Sequence, residues 1–327
     1  MAHPLIPTQD LTPFLAERYE IVKSRFPGEG RRKWRLRVAE EFWKLSADDK
    51  AAYATRSVNL NQSESAPYNV DEDPLDFIAG EDAPGLGIVV RADFSNEDAW
   101  QTFLTKLQEA EAEFVSEVAI HPEGTEEGDD HGEGDEDQQM NEDEPQASSS
   151  SVVNADEEMD EDEDGPSESS PIFAIFNPTP NSPLRGLLSS VHSPLASQAH
   201  PTNLNILRLL TDVDIRRVPT PPQGTKRIKP PNRLVDYDQW QEVYKGKGIW
   251  VYDERSNVDQ CVRVVSLEGS ACYGTATADS WRARVSHICE LQVNLSSGAM
   301  TIDFGGLDRY DYGERVKNME EAERGIV

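Results

Sequence analysis

The sequence predicts a multidomain chain: an all-α three-helix domain, then a split α+β domain that a disordered acidic insertion interrupts. Three observations lead there. Charge is unevenly spread over the 327 residues, with a net of −30 made up of +3 over residues 1–57, −12 over 58–120, −21 over 121–170 and zero over 171–327. Apolar residues in the first 60 positions recur at helical spacing. Short apolar, β-prone runs lie on both sides of the acidic stretch, "GLGIVVRADF" before it and "PIFAIF" after it. The expected layout is a helical domain at 1–60, a linker at 61–85, the first part of the α+β domain at 86–119, the insertion at 120–170 and the second part at 171–327, with a Ser/Pro-rich loop at 177–202.

The first helix is expected to start at Thr12-Pro13, proline being suited to the first helical position, and to carry Phe14, Leu15, Val22 and Phe26 before Pro27-Gly28 stops it. The second places Trp34, Val38 and Phe42 four apart on one stripe with Trp43 beside it. Ser46 to Asp49 reads as a capping box that opens a third helix running through Tyr53. Phe14, Trp34, Phe42, Trp43 and Tyr53 are the expected core of this unit, since so short a domain has few other residues with which to build one. Eight basic residues, Arg18, Lys23, Arg25, Arg31, Arg32, Lys33, Arg35 and Arg37, face only Glu20 and Glu29 in the same span.

The stretches "FLAERYEIVKSRFPG" and "EEFWKLSADDKAAY" resemble an HMG box over about 50 residues. Phe14, Glu17-Arg18, Val22-Lys23 and Pro27-Gly28 match the box's first helix and turn, and Trp43, Leu45-Ser46, Lys50 and Tyr53 match the end of its second helix and the start of its third. The resemblance implies an L-shaped three-helix fold that binds DNA in the minor groove or along the backbone and bends it. It makes the eight basic residues candidate phosphate contacts. The departures fall on the DNA-facing parts: "HPLIPTQD" carries no Lys or Arg ahead of Arg18, Thr12-Pro13 and Arg31-Arg32 stand where the family has wedges, and "SVNLNQSES" replaces a lysine-rich end.

Beyond the linker, "GLGIVVRADF" is expected to be a strand. Ser95 to Asp98 should then cap a helix that buries Ala99, Trp100, Phe103, Leu104, Leu107, Phe114 and Val118. Residues 121–170 hold 21 Asp/Glu and no Lys or Arg, so like-charge repulsion and scarce apolar residues predict disorder; the segment is either a solubilising spacer or a partner-binding arm. His121 and His131 sit among these carboxylates without the spacing of a metal site. "PIFAIF" is expected to be a strand and "NILRLLTDVDI" a helix or a strand. Between them lie Thr179-Pro180, Ser182-Pro183 and Ser193-Pro194, with Thr220-Pro221 further on, all candidate targets of proline-directed kinases. Lys226, Arg227, Lys229 and Arg233 form a basic run of nuclear-import type, or a basic turn.

For the last ninety residues the expectation is strands at "KGIWVYDE" and "QCVRVVSLE", a short helix or loop at "ADSWRARV", a hairpin turning at Ser297-Gly298, and a closing helix at "LDRYDYGERVKNMEEAER". "VVRADFSNEDAW", followed far downstream by "SWRARV", "NLSSG" and "IDFGGLD", is similar to a domain of unknown function from uncharacterised fungal and bacterial proteins. The similarity supports joining the two parts across the insertion and brings no activity with it.

No apolar run approaches the roughly 18 residues of a membrane helix, Met1 to Asp10 lacks the pattern of a signal peptide, and three cysteines (Cys261, Cys272, Cys289) suit a reducing compartment. The motifs G-x-S-x-G, G-x-x-x-x-G-K-[ST], H-E-x-x-H and C-x-x-C are missing from the sequence. His287 and Cys289 are expected on one face of a strand without a third orienting group, and Asp93 and Asp303 each precede a phenylalanine near a strand end. The expectation is therefore a nuclear, non-catalytic protein without cofactor or metal. It binds DNA through the N-terminal helices with little base specificity and in a salt-sensitive way, modulated by the acidic segment, or, alternatively, it is a nuclear or cytoplasmic scaffold whose helices no longer bind DNA; in both, protein partners are met by the acidic segment or the C-terminal domain.

Overall fold

The computed structural model describes residues 11–54, 65–120, 171–179, 181, 182, 185, 202–218, 233–269 and 275–302. Helices α1 (Thr12–Arg25), α2 (Arg31–Trp43) and α3 (Ala47–Ala54) open the chain. Pro13 falls in the first turn of α1, with Leu11 rather than Thr12 at the N-cap. Gly30 starts α2 at φ +92°, and a Cβ there would lie 2.5 Å from the Pro74 ring and 2.8 Å from Asp73 Oδ2, so only glycine fits. Ser46 caps α3: its Oγ accepts from the Asp49 N–H at 3.1 Å and donates to the Asp49 carboxylate at 2.7 Å.

The span 65–85 is not a linker. It forms the short helices α4 (Pro67–Val70) and α5 (Asp76–Ala79), and it buries Tyr68, Leu75, Ile78 and Ala79 against α1, α2 and the sheet core. Its polar, breaker-rich composition hides four well-spaced core contributors.

Strand β1 (Gly87–Arg91) leads into α6 (Glu97–Ile120), capped by Asn96, whose Oδ1 accepts from the Ala99 N–H at 3.0 Å. Beyond the acidic segment come β2 (Phe173–Phe176), α7 (Asn203–Leu210), β3 (Asp212–Arg217), β4 (Trp240–Lys245), β5 (Gly248–Tyr252), α8 (Ser256–Asp259), β6 (Cys261–Val265), β7 (Ser280–Arg284) and α9 (Ile288–Ser297). The result is an α+β fold built on a mixed five-stranded sheet of order β2-β1-β5-β6-β7. β1 runs parallel to β2 (Gly87↔Phe173) and to β5 (Gly87↔Gly248), while β6 and β7 add antiparallel strands. Segments on the two sides of the acidic stretch thus pair directly. β3 and β4 form a separate antiparallel pair.

Residue alternation in the strands divides the interior into two cores. One face, with Val89, Trp250, Tyr252, Val262, Val264 and Ala283, meets Trp100, Phe103, Leu107 and Ala110 of α6 and Ile288 and Cys289 of α9. The opposite face, with Ile88, Val90, Ile249, Val251 and Val265, meets α7, β3, β4 and the N-terminal helices. Phe14, Trp34 and Phe42 are buried in that second core, with Trp43 and Tyr53 packed on it half-buried; Phe42 meets Trp240 edge-on at 5.2 Å. The described residues up to Phe114 and from 171 onward accordingly form one compact unit. The expected domain boundary at residue 60 is corrected: helices with so few residues complete their core with strands more than 150 positions away.

Two further local readings change. "SWRAR" is a strand, β7, despite burying little more than Ala283, because the ladder to β6 organises it. "ICELQVNLSS" is helix α9 rather than one arm of a hairpin, for Ile288, Cys289 and Gln292 lie on one helical face, and Gly298 at φ +74° is its left-handed C-cap. "NILRLLTDVDI" resolves into α7 followed by β3, with Thr202 capping the helix. The closing helix expected after residue 303, the acidic stretch from residue 121 and most of the Ser/Pro-rich loop lie outside the described residues.

Candidate functional site

The sequence places its positive charge on α1 and α2, and the structure brings acid to it from residues 71–76. Lys23 Nζ meets Asp71 at 2.7 Å and Arg31 meets Asp76 at 2.9 Å. Arg32, its side chain 4% exposed, meets Asp73 at 2.8 Å and Asp76 at 3.0 Å. Asp73 also accepts the Arg32 backbone N–H at 2.8 Å, so one carboxylate caps α2 and neutralises its first turn. Arg35 points inward as well, donating to the carbonyls of Tyr68 and Val213 and to Asn69 Oδ1. On the outer side, Arg18 and Arg25 share Glu41 at 2.8 and 3.6 Å, and Arg37 pairs with Glu29 at 2.5 Å while stacking on Phe26. Lys33 adds its charge beside Glu29, which is held below the ordinary carboxylate range chiefly by the Arg37 hydrogen bond. Seven of the eight candidate phosphate contacts therefore have carboxylate or carbonyl partners within the chain, and three are turned into it. The −12 that follows the basic segment was the signal for this, had the two been read together.

A second polar cluster, which the sequence did not reveal, ties α2 to β4. Glu242 is fully buried; its carboxylate accepts from Trp43 Nε1 at 2.9 Å, Tyr244 Oη at 2.5 Å, Arg233 Nε at 2.6 Å and Arg208 at 3.3 Å. Burial works against its ionisation, but the two guanidinium groups outweigh that and hold it below the usual carboxylate range. Burial and the Glu242 charge push the Tyr244 phenol well up. Arg233, expected in a nuclear-import run, thus belongs to the interior network, and Lys226, Arg227 and Lys229 lie outside the described residues. Lys50 is buried nearby, 5.3 Å from the Trp43 ring centroid, 5.5 Å from that of Tyr237 and 3.7 Å from Asp238.

The third cluster sits at the C-terminal ends of β1 and β5. From there the chain leaves β1 toward β2 on one side and β5 toward β6 on the other, the kind of divergence where open α/β sheets bind ligands. Asp93 Oδ1 accepts from Ser95 Oγ at 2.6 Å and Asn257 Nδ2 at 2.7 Å, and Asn257 Oδ1 accepts from Tyr252 Oη at 2.7 Å. Burial raises the Asp93 carboxyl's affinity for its proton, yet these hydrogen bonds and Arg91 keep it below its ordinary value. Asp253, fully buried, holds Arg263 at 2.9 Å and Arg282 at 2.5 Å, and so compensates two arginines that face each other across β6 and β7. The cluster is closed on itself by internal hydrogen bonds. Asp303, the other flagged acid, lies outside the described residues, as do His121 and His131.

His287 and Cys289 do not share a strand face. His287 is exposed at the N-cap of α9, hydrogen-bonded through Nδ1 to Ser286 Oγ at 2.7 Å, and Cys289 is buried on the helix, its thiol pushed up to about 12 by burial and then by Glu111. A protonated, enclosed thiol is no nucleophile.

Two of the clefts that open among the described residues border these elements. One, of about 1050 Å³, is walled by Arg31, Arg32, Arg35, Asp76, Asp212, Asp214 and Lys245, with Val70 and Phe77 exposed at its rim; Lys245 pairs with Asp214 at 2.5 Å, so its charges are largely compensated. The other, of about 840 Å³, lies under α9 between Leu86, Gly248, Val264, Leu267, Leu295 and Met300. Gln292 occupies its edge, accepting from Trp250 Nε1 at 2.7 Å and donating to the Leu86 carbonyl. No protein-family model, no curated protein and no solved structure matches the chain.

Proposed function

We propose that the chain is a non-catalytic interaction protein, in which HMG-box-like helices have become a structural part of the α+β unit and the acidic segment is the partner-binding arm. The observation that carries this reading is the inward turn of Arg31, Arg32 and Arg35. A guanidinium that neutralises phosphate must reach solvent, whereas these three are spent on Asp73, Asp76 and backbone carbonyls. The missing basic arm and wedges support the same reading from the sequence. In residues 121–170, 21 carboxylates without a single Lys or Arg suit a basic partner surface, which the chain meets by long-range attraction.

The test is an anisotropy titration of four-way-junction DNA with the chain lacking residues 121–170, so that the acidic segment does not mask a basic face. The reading predicts no saturable binding at about 50 mM salt. Tight binding whose affinity drops steeply between about 50 and 200 mM salt, as counterion release requires, overturns it in favour of a DNA-binding protein.

A further inference from the structure

The cleft of about 840 Å³ under α9 falls within the roughly 300–1,000 Å³ of small-molecule sites. Leu86, Val264, Leu267, Leu295, Met300 and Ile302 give it an apolar wall, and Leu86 remains 48% exposed. Glycine at 87 and 248 lets the Gln292 side chain close over the first residues of β1 and β5, where a Cβ would stand 2.7 and 2.5 Å from its Oε1. That amide is fully used: its carbonyl accepts from Trp250, and its nitrogen donates to the Leu86 carbonyl at 3.2 Å and to Ser296 Oγ at 2.6 Å. Lys247 is the cation of the same wall. Its Nζ donates to the Ala83 carbonyl and, at 3.1 Å, to the Pro84 carbonyl, which hold it beside Gly85 and Leu86. Among the described residues it has no carboxylate partner, whereas Arg216 holds Glu268 at 2.7 Å and Lys245 holds Asp214 at 2.5 Å. Of the two glutamates in the wall, Glu268 is thus taken by Arg216, and Glu81 is exposed.

We propose that this cleft binds a small amphiphilic carboxylate, its apolar chain lying along Leu86, Val264, Leu267, Leu295, Met300 and Ile302 and its head meeting the Lys247 ammonium. An ammonium has three donors, and the two carbonyls account for two of them. Burial pushes the Lys247 amine's affinity for its proton below the ordinary lysine range, as expected of a charge drawn out of water with no anion beside it. A carboxylate supplies that anion through a charge-assisted hydrogen bond, and apolar surface removed from water supplies the rest of the affinity. A cationic ligand meets Lys247 as a like charge, and a polyhydroxylated one finds few partners among the aliphatic side chains and a Gln292 amide already bonded. The proposal goes beyond the interaction reading above and does not depend on whether the N-terminal helices bind DNA.

The experiment titrates the full chain with octanoate and with 1-octanol by calorimetry, and follows the octanoate titration by backbone amide shifts. Octanoate is expected to saturate a single site about tenfold more tightly than 1-octanol, the margin that a hydrogen bond to a charged group supplies. Its largest shift changes should fall at Leu86, Gly248, Leu267 and Leu295. Lys247→Gln should lower octanoate to the affinity of 1-octanol and leave 1-octanol unchanged, while Lys247→Arg keeps the preference, a pattern that misfolding does not produce. Absence of saturable binding, or shifts clustered away from α9 and the start of β5, overturns the site. Equal affinities for octanoate and 1-octanol in the unaltered chain overturn the role of Lys247.

Discussion

At the scale of single residues, Glu242 joins parts of the chain far apart in sequence, since Trp43, Arg208, Arg233 and Tyr244 all converge on one buried carboxylate. Glu242→Ala leaves two cations facing a space without an anion. The expected loss is about 3–5 kcal/mol of unfolding free energy, read from urea melts, because removing one partner of a buried pair strands the other. The same group sets a pH dependence. Its folded pKa is depressed, so its contribution is complete above the unfolded carboxylate value near 4.3 and falls away as pH drops through the lower folded value; urea melts from pH 6 to pH 3 should show that slope, diminished in Glu242→Gln. Cys289, its thiol raised to about 12, should resist iodoacetamide at pH 8 in the folded chain and react once urea unfolds it, as peptide mass spectrometry will read. Aromatic core positions such as Phe14 and Phe42 were legible from spacing alone. The role of Glu242 was not, because "WQEVYK" gives no sign that partners from residues 43, 208 and 233 enclose it. For the same reason Arg31 and Arg32 of α2 read as candidate phosphate contacts, their acids lying about forty positions away.

At the scale of elements, long amphipathic segments were readable and short ones were not. α6 shows Trp100, Phe103, Leu107 and Ala110 on one stripe, and Trp100 is seated against Phe103 and Tyr252 at 5.5 and 4.9 Å. Trp100→Ala should therefore cost about 3–5 kcal/mol, a thermal-melt shift of several degrees, from lost burial and the cavity left behind. α9 was misread because Ser297-Gly298 is equally at home in a hairpin turn and at a helix end; only the partners of Ile288 and Gln292 decide. Gly298→Ala forces a β-carbon into a left-handed conformation and should cost about 1 kcal/mol, whereas a hairpin turn of another register would tolerate it. β7 exists because the β6 ladder recruits it, and no propensity in "SWRAR" announces that.

At the scale of the whole molecule, the α+β class and the joining of segments across the acidic stretch followed from apolar patterning on both sides of it. The shared core did not, since periodicity shows that a helix has a buried face and leaves open what covers that face. Here α1, α2 and α7 and the β3–β4 pair cover Ile88, Val90, Ile249 and Val251, so a chain beginning at residue 61 should expose that sheet face and aggregate on expression. The account's central claim is that the N-terminal helices and the sheet are one cooperative unit, and native-state hydrogen exchange of the full chain tests it most directly. Amides of Val38, Ala39 and Phe42 in α2 should exchange with the same opening free energy, and the same dependence on denaturant, as those of Ile249 and Val251 in β5. Opening of α2 at a free energy several kcal/mol lower, independent of β5, would contradict it.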